Sequence, residues 1–157
     1  MSIIIDLKEV ASSLSLLVVE DEKELNNELV SILSLLFYSV DFAYNGVDGL
    51  ERYKKTKPDI VLTDISMPKM NGIEMSRHIK DIKPTAHIIV LSAHSDTKHL
   101  IDLIDINIDQ FILKPFDKNT FLFKLHKVAK KITLEKKLKK ASKKKMLKAK
   151  KKNIKKS

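Results

Sequence analysis

The segment Asp59-Ile60-Val61-Leu62-Thr63-Asp64 decides the fold: it is a short apolar run that follows Pro58 and ends in an acid. Its apolar residues do not alternate with polar ones, which is typical of a strand buried on both faces. An amphipathic stretch follows it and opens at Asn71-Gly72, a pair that favours a turn. The segment therefore predicts a buried strand, then a loop, then a helix.

The same unit recurs on both sides of this segment. Each apolar run is followed by residues at helical spacing, as with Leu25, Leu29 and Leu33 after the first. Five such units predict a doubly wound α/β fold, in which helices cover both faces of a parallel sheet. Asn107 is placed to end the fourth helix, because Asn tolerates the left-handed conformation found there. The predicted strands lie at residues 16–19, 40–43, 59–64, 88–92 and 111–113.

Charge is distributed unevenly along the chain. The 157 residues include 30 Lys and Arg against 20 Asp and Glu, a net charge of +10. Residues 132–157 hold 13 Lys and one Glu, which leaves residues 1–131 with 17 basic and 19 acidic side chains. We therefore predict a leader over residues 1–13, one globular domain over residues 14–131 and a Lys-rich tail over residues 132–157. This length argues against a two-domain enzyme.

Several classes of protein are excluded by what the sequence lacks. Without cysteine there is no disulfide framework and no thiolate chemistry, and three glycines form neither a dinucleotide-binding fingerprint nor a Walker loop. No apolar run approaches the roughly 18 residues of a membrane span, and the N-terminus lacks the features of a secretory signal. A cytoplasmic protein without membrane insertion is therefore expected. Within the leader, Ile3-Ile4-Ile5 is apolar enough to pack on the domain.

Polar residues follow four of the five predicted strands: Glu20-Asp21 the first, Asp64 the third, Ser92 the fourth and Lys114-Pro115 the fifth. The carboxyl ends of the strands in an open α/β sheet share one edge, where ligands bind. Each residue alone is explained as a helix cap or a turn residue. Three carboxylates at one edge, however, repel one another unless a cation offsets them. Mg²⁺ suits that role because it takes oxygen ligands.

The sequence resembles the response-regulator receiver domains of bacterial two-component signalling. The resemblance covers about residues 14–131 and rests on four motifs in a fixed order. It implies the flavodoxin-like strand order 2-1-3-4-5. The motifs are Glu20-Asp21, Asp64-Ile-Ser-Met-Pro-Lys-Met-Asn-Gly72, Leu91-Ser-Ala93 and Phe111-Ile-Leu-Lys-Pro-Phe116.

The resemblance implies a phosphoacceptor and a Mg²⁺ site. Asp64 is then the phosphoacceptor and a metal ligand, Asp21 is a direct metal ligand, and Glu20 is a ligand through water. The Ser66 backbone carbonyl completes the protein's share of the ligands. Ser66 and His94 each lie two residues past an active-site residue, at positions that tune dephosphorylation in the family.

Other roles follow from the resemblance for residues near the last two strands. Ser92 and Lys114 are implied to bind the phosphoryl group, with Lys114 paired to Asp64 beforehand. Ser92 and Phe111 are the implied switch residues, and Pro115 is expected to follow a cis bond. A carboxylate, a divalent cation, a hydroxyl and an ammonium supply the positioning and charge neutralisation that phosphoryl transfer requires.

The function implied is that of a phosphorylation-activated response regulator, alone or as the receiver part of a longer regulator. Its phosphodonor is a sensor histidine kinase or a phosphotransfer protein. Phosphorylation switches the face made by the fourth helix, fifth strand and fifth helix, through which a homodimer can also form. Such a protein catalyses its own phosphorylation and dephosphorylation but is a signalling switch and not a turnover enzyme.

Two other functions agree with parts of the sequence. A nucleic-acid-binding protein acting through the basic tail agrees with the composition, but the tail has no base-reading residues. A phosphatase of the haloacid-dehalogenase type agrees with the architecture, but it requires a second Asp two residues after the nucleophile, where this chain has Ser66.

The tail continues the last helix with Leu134, Leu138 and Ala141 at spacing i, i+4, i+7, but Lys at 145 and 148 ends this stripe. A long coiled coil needs three or four heptads, so the sequence does not predict one. The expectation from sequence is a solvated linker that is partly helical or disordered, and an acidic receiver would itself oppose docking on DNA.

Overall fold

The structure is a computed structural model that describes residues 2–93 and 98–156. Five strands alternate with helices, and one further helix precedes the first strand. The strands are β1 (Ser15–Val19), β2 (Ser39–Ala43), β3 (Ile60–Asp64), β4 (His87–Ser92) and β5 (Gln110–Leu113). The helices are α1 (Ile3–Ala11), α2 (Lys23–Leu33), α3 (Gly46–Thr56), α4 (Gly72–Ile82), α5 (Leu100–Ile106) and α6 (Lys118–Lys156).

The sheet confirms the predicted fold class. All pairings are parallel and the strand order is β2-β1-β3-β4-β5. Successive side chains of a strand point to opposite faces. Leu16, Val18 and Leu62 accordingly pack in the core shared with α1, α2 and α6, while Leu17 and Val61 pack in the core shared with α3, α4 and α5. Because helices cover both faces, the strands need no polar alternation.

Asparagine side chains mark the helix boundaries that the sequence predicts. The Asn71 side chain caps α4 by accepting a hydrogen bond from the Glu74 backbone N–H at 2.9 Å. Asn107 ends α5 in the left-handed conformation with φ 63°, which confirms the prediction for that residue. Gly72 has room for no side chain, because a Cβ there would collide with the backbone carbonyl of Asp64. These local constraints place the loop after β3 next to the strand ends.

The leader forms a helix that was not predicted from the sequence. In α1, Leu7 and Ala11 are fully buried and Ile3 packs at the edge of the same core. The rest of the Ile3–Ile5 run points outward, since Ile4 and Ile5 are exposed. The i, i+4 and i+8 spacing of Ile3, Leu7 and Ala11 was the available signal. Because α1 adds to the predicted set, the predicted fourth and fifth helices are α5 and α6.

Helix α6 packs on the sheet over its first half and leaves it at the edge opposite the strand carboxyl ends. Its buried residues extend to Ile132, and all described residues from Leu134 onward are exposed. The change of composition at residue 132 therefore falls inside one continuous helix. No helix among the described residues contains a segment long and apolar enough to cross a membrane.

Polar contacts hold α6 where it leaves the sheet. Lys136 Nζ lies 2.7 Å from Asp59 Oδ1. The ring of His87 bridges two carboxylates, with Nδ1 2.9 Å from Asp109 Oδ1 and Nε2 3.1 Å from Glu135 Oε2. The side chain of His87 is only 13% exposed, and its hydrogen bond to Asp109 raises its pKa although burial opposes the shift.

From the raised pKa of His87 we predict that its ion pairs stabilise the protein in a pH-dependent way. Because the pKa of His87 is higher in the folded protein than its unfolded value of 6.5, the protonated ring stabilises the fold at pH values below 6.5. This stabilisation is lost as the pH rises through the folded-state pKa. We expect His87→Asn to lower the free energy of unfolding by about 1–2 kcal/mol at pH 5.5 and by less at pH 9, measured by urea denaturation. The exposed His78→Asn serves as the matched control. An equal effect of His87→Asn at both pH values would contradict the assignment.

Candidate functional site

The carboxyl ends of β1, β3, β4 and β5 bring the predicted site residues to one edge of the sheet. Glu20 directly follows β1, Asp64 ends β3 and Ser92 ends β4. The parallel register aligns Asp64 with Leu91 and Ser92 with Leu113, the residue before Lys114. Residues from strands that are far apart in sequence therefore lie side by side.

Lys114 joins two of the acids. Its Nζ donates a hydrogen bond of 2.7 Å to Glu20 Oε1 and one of 3.0 Å to Asp64 Oδ2. Its backbone N–H donates to the Ser92 carbonyl oxygen at 2.7 Å, which extends the pairing of β4 with β5. The Lys114–Pro115 peptide bond is cis. The ammonium thus lies between carboxylates from the first and third strands.

Glu20, Asp21 and Asp64 form a compact acidic cluster. One carboxylate oxygen of each lies within 4.8 Å of the others. Glu20 is fully buried and Asp64 is 8% exposed, whereas Asp21 is exposed. Among the described residues, Glu20 Oε2 has no hydrogen-bond partner although it is buried. An unpaired buried carboxylate oxygen is costly, so the cluster is short of positive charge.

The titration of the cluster reflects this shortage. Burial and the neighbouring Asp64 carboxyl group raise the pKa of Glu20 to about 8, and Lys114 offsets only part of the shift. Burial disfavours the charged form of Lys114, but hydrogen bonds to Glu20 and Asp64 outweigh it and raise its pKa. The single ammonium of Lys114 therefore does not neutralise three carboxylates. Their oxygen atoms are ligands that a hard divalent cation prefers.

The backbone holds Asp64 in place. Its Oδ1 accepts a hydrogen bond of 2.7 Å from the Ile65 N–H, while Oδ2 accepts the bond from Lys114. Hydrogen bonds to both carboxylate oxygens therefore fix the orientation of the Asp64 side chain.

Sequence reasoning missed Asn26, a buried residue of α2. Its Nδ2 donates hydrogen bonds of 3.0 Å to the carbonyl oxygens of Glu20 and Ala43. It thus fastens the loop that carries the acidic pair. An amide in the helix that follows Glu20-Asp21 was the available signal, but its partners are defined only by the fold.

The remaining predicted residues lie on the neighbouring strands β4 and β5 and in the loop after β3. Ser92 is buried, and its hydroxyl donates to the Ala93 carbonyl oxygen at 3.1 Å. Ser66 is exposed in the loop after β3. Phe111 is half-buried against the core shared with α3, α4 and α5, and its carbonyl oxygen accepts a hydrogen bond of 2.6 Å from Lys124 Nζ. The predicted tuning residue His94 lies outside the described residues.

Comparison with known proteins identifies the family. Over residues 16–126 the sequence matches the family described as the response regulator receiver domain. The chain belongs to the response regulator receiver family. Receiver domains are signalling switches of two-component systems and bind Mg²⁺ at an acidic pocket. In this receiver, the acidic residues that cluster at the edge of the sheet are Glu20, Asp21 and Asp64.

Individual relatives agree with this assignment. Chemotaxis protein CheY of Thermotoga maritima is 40% identical over 115 residues, which cover 73% of this chain and 96% of CheY. Transcriptional regulatory protein DltR of Streptococcus agalactiae is 36% identical over 110 residues, 70% of this chain and 49% of DltR, so this receiver spans about half of DltR. A chain of the CheX-CheY-BeF3-Mg complex from Borrelia burgdorferi superposes with a TM-score of 0.67 and 30% identity, covering 73% of this chain and 88% of that one.

The position of Lys114 predicts a coupling between charge and stability. Removing the ammonium in Lys114→Met leaves Glu20 and Asp64 facing each other, so we expect the free energy of unfolding to fall by about 1–3 kcal/mol. In the double variant Glu20→Gln/Lys114→Met one of the two repelling charges is absent, and part of that stability should be recovered. Urea denaturation in EDTA measures both. The exposed Lys130→Met is the control, and equal stability of Lys114→Met and Lys130→Met would refute the coupling.

Proposed function

We propose that this receiver accepts a phosphoryl group on Asp64 from a sensor histidine kinase or a phosphotransfer protein and so acts as a phosphorylation-activated response regulator. The observation that carries the proposal is the pair of hydrogen bonds from Lys114 to Glu20 and Asp64 beside the acidic cluster. A bare acidic cluster would repel a phosphoryl donor. An ammonium that already contacts Asp64 can turn to the incoming phosphoryl oxygens.

Asp64 is the acid best placed for attack. Its Oδ1 is held by the Ile65 N–H, and it is slightly exposed, whereas Glu20 is fully enclosed. In the proposed step, an oxygen of Asp64 forms the bond to phosphorus while the bond from phosphorus to the donor's imidazole nitrogen breaks and the imidazole leaves. The reaction needs no general base on this chain, because a carboxylate attacks without losing a proton.

The residues present fit Mg²⁺. We assign Asp21, Asp64 and the Ser66 backbone carbonyl as ligands and Glu20 as a ligand through water. The donors are all oxygens, and the unpartnered buried oxygen of Glu20 marks a need for positive charge in this cluster. Bound Mg²⁺ would offset the negative charge of Asp64 and of the phosphoryl oxygens. The similar CheX-CheY-BeF3-Mg complex from Borrelia burgdorferi supports the assignment.

Asp64 can be tested as the phosphoacceptor with a small donor. Incubation with acetyl phosphate and Mg²⁺ should add one phosphoryl group to the wild type, and Asp64→Asn should take up none because it lacks the anionic oxygen. Intact-mass spectrometry measures the product. The exposed acid variant Asp81→Asn is the matched control and should be modified like the wild type. A phosphorylated Asp64→Asn protein, or a wild type modified equally well in EDTA, would overturn the proposal.

We propose further that Ser92 and Phe111 relay the modification. The Ser92 hydroxyl, now bonded to the Ala93 carbonyl oxygen, would turn to a phosphoryl oxygen and leave space for the Phe111 ring to move inward. The output face is then formed by α5, β5 and α6. It exposes apolar side chains suited to a partner or a second copy of the receiver. Among them are Ile101 at 73%, Ile104 at 75% and Phe123 at 51%.

This relay predicts a defined pattern of spectral change. A phosphoryl mimic, beryllofluoride with Mg²⁺, should shift the same amide resonances in α5, β5 and the first half of α6 as phosphorylation does, because both favour one conformation. Ser92→Ala should weaken the shifts at Phe111, whereas the exposed Ser13→Ala should leave them unchanged. NMR of the labelled full chain measures this. If the face stays unchanged at full occupancy of the site, the proposed relay is wrong.

A further inference from the structure

The exposed half of α6 is not used by the proposed phosphoryl chemistry. We call residues 137–156 the basic arm. This segment contains 12 Lys and no Asp or Glu, and all its residues are exposed helix. Lysines three and four residues apart on a helix repel one another, so a polyanion that contacts the arm would relieve an unfavourable interaction as well as form new ones.

The lysines lie around most of the arm's circumference and leave a sector of about 100° without one. Each residue of an α-helix turns by about 100° around the axis. Lys139, Lys143 and Lys150 therefore lie within about 40° of one another, on a side that we call side A. The opposite side, about 180° away, we call side B, and it carries Lys145, Lys148 and Lys152.

No continuous apolar stripe lies between the two sides. The large apolar residues of the arm are all more than half exposed and are spread over about 180° of the circumference. A coiled coil with a second copy needs a sustained stripe, and the charge of both helices would oppose it. An amphipathic helix that lies on a membrane likewise needs one apolar face. These residues are Leu138, Met146, Leu147 and Ile154.

The base of the arm is fixed to the receiver. Just before the arm begins, Lys136 contacts Asp59 at 2.7 Å and Glu135 contacts His87 at 3.1 Å. Thr133 Oγ1 also donates to the Val10 carbonyl oxygen at 3.2 Å. A helix of 20 residues continues for about 30 Å beyond this point. That distance exceeds the Debye length of roughly 8 Å at physiological salt, so the acids of the receiver do not screen most of the arm.

We propose that the basic arm binds double-stranded DNA without sequence preference. The major groove of B-DNA is about 12 Å wide and admits an α-helix between two walls of phosphates. Lysines on both sides of a helix can then be neutralised at once, whereas a flat anionic membrane meets only one side. The major groove of double-stranded RNA is deep and narrow, which disfavours the same arrangement.

This inference departs from the linker expected from the sequence. A disordered linker would hold its lysines at no fixed spacing and close to an acidic domain. The continuous helix instead carries them away from that domain, and Asp59 and Asp109 at its base already face Lys136 and Lys131. The inference does not depend on phosphorylation of Asp64, so each can fail without the other.

The test measures binding of the full chain to two fluorescent 20-base-pair DNA duplexes of unrelated sequence, by anisotropy between 0.05 and 0.3 M NaCl. We expect equal affinities for the two duplexes, in the range of roughly 10⁻⁶ to 10⁻⁴ M at 0.15 M salt, with log affinity falling linearly in log salt. The side A variant is Lys139→Gln/Lys143→Gln/Lys150→Gln. The side B variant is Lys145→Gln/Lys148→Gln/Lys152→Gln.

Each triple variant should weaken binding by about tenfold or more and reduce the salt slope by roughly 0.9 for every phosphate that the arm no longer neutralises. A matched control removes three exposed lysines elsewhere, as Lys8→Gln/Lys55→Gln/Lys83→Gln, and should bind like the wild type. Circular dichroism checks that all variants keep their helix content. Absence of binding at 0.05 M salt, or an equal weakening in the control and the arm variants, would overturn the proposal.

Two further ligands test the commitment to DNA. Vesicles of anionic phospholipid and a 20-base-pair RNA duplex are titrated under the same conditions. Weaker binding to both supports the proposal. Tighter binding to vesicles, with only one triple variant impaired, would assign the arm to membranes. Binding to duplex RNA as tight as to DNA would show that the arm does not use the B-form major groove.

Discussion

The ammonium of Lys114 is the interaction on which the rest of the site depends. It joins the Glu20 carboxylate, which follows β1, to the Asp64 carboxylate, which ends β3, although Lys114 itself follows β5. Without it, two acids with little access to water would face each other. The contact requires three strands in the correct order and register, so it links the chemistry of the site to the topology of the sheet.

The site keeps a deficit of positive charge within this arrangement. Burial of Glu20 raises its pKa to about 8, and one of its oxygens has no partner among the described residues. A cluster built only for stability would not leave a buried carboxylate in that condition. This deficit of positive charge favours the binding of a divalent cation. A phosphoryl group would then change the net charge of the site again.

The two halves of helix α6 lie in different environments. Its first half packs on the sheet and forms one border of the proposed output face, and its second half extends into solvent as the basic arm. Helix α1 packs on α6 in the core shared with α2. The ion pairs of Asp59, His87 and Asp109 fix the point at which the helix passes from one environment to the other.

The sequence alone determined the features that depend on near neighbours. The apolar run Ile60–Leu62 predicts a buried strand, and Asn71 and Asn107 mark helix ends, because each acts on residues a few positions away. The acids at the strand ends follow from the same pattern. The family motifs then indicated which strands lie side by side.

Only the tertiary structure decided which distant groups meet. Three features depend on contacts between separate elements. Glu20 Oε2 is buried without a hydrogen-bond partner among the described residues, Asn26 binds the loop after β1, and His87 contacts both Asp109 and Glu135. The path of helix α6 beyond the sheet also depends on the tertiary structure. Composition places a boundary at residue 132, but the helix continues through it, and Glu135 and Lys136 contact His87 and Asp59 at the edge of the sheet. Such contacts depend on distance in space, which spacing along the chain does not specify.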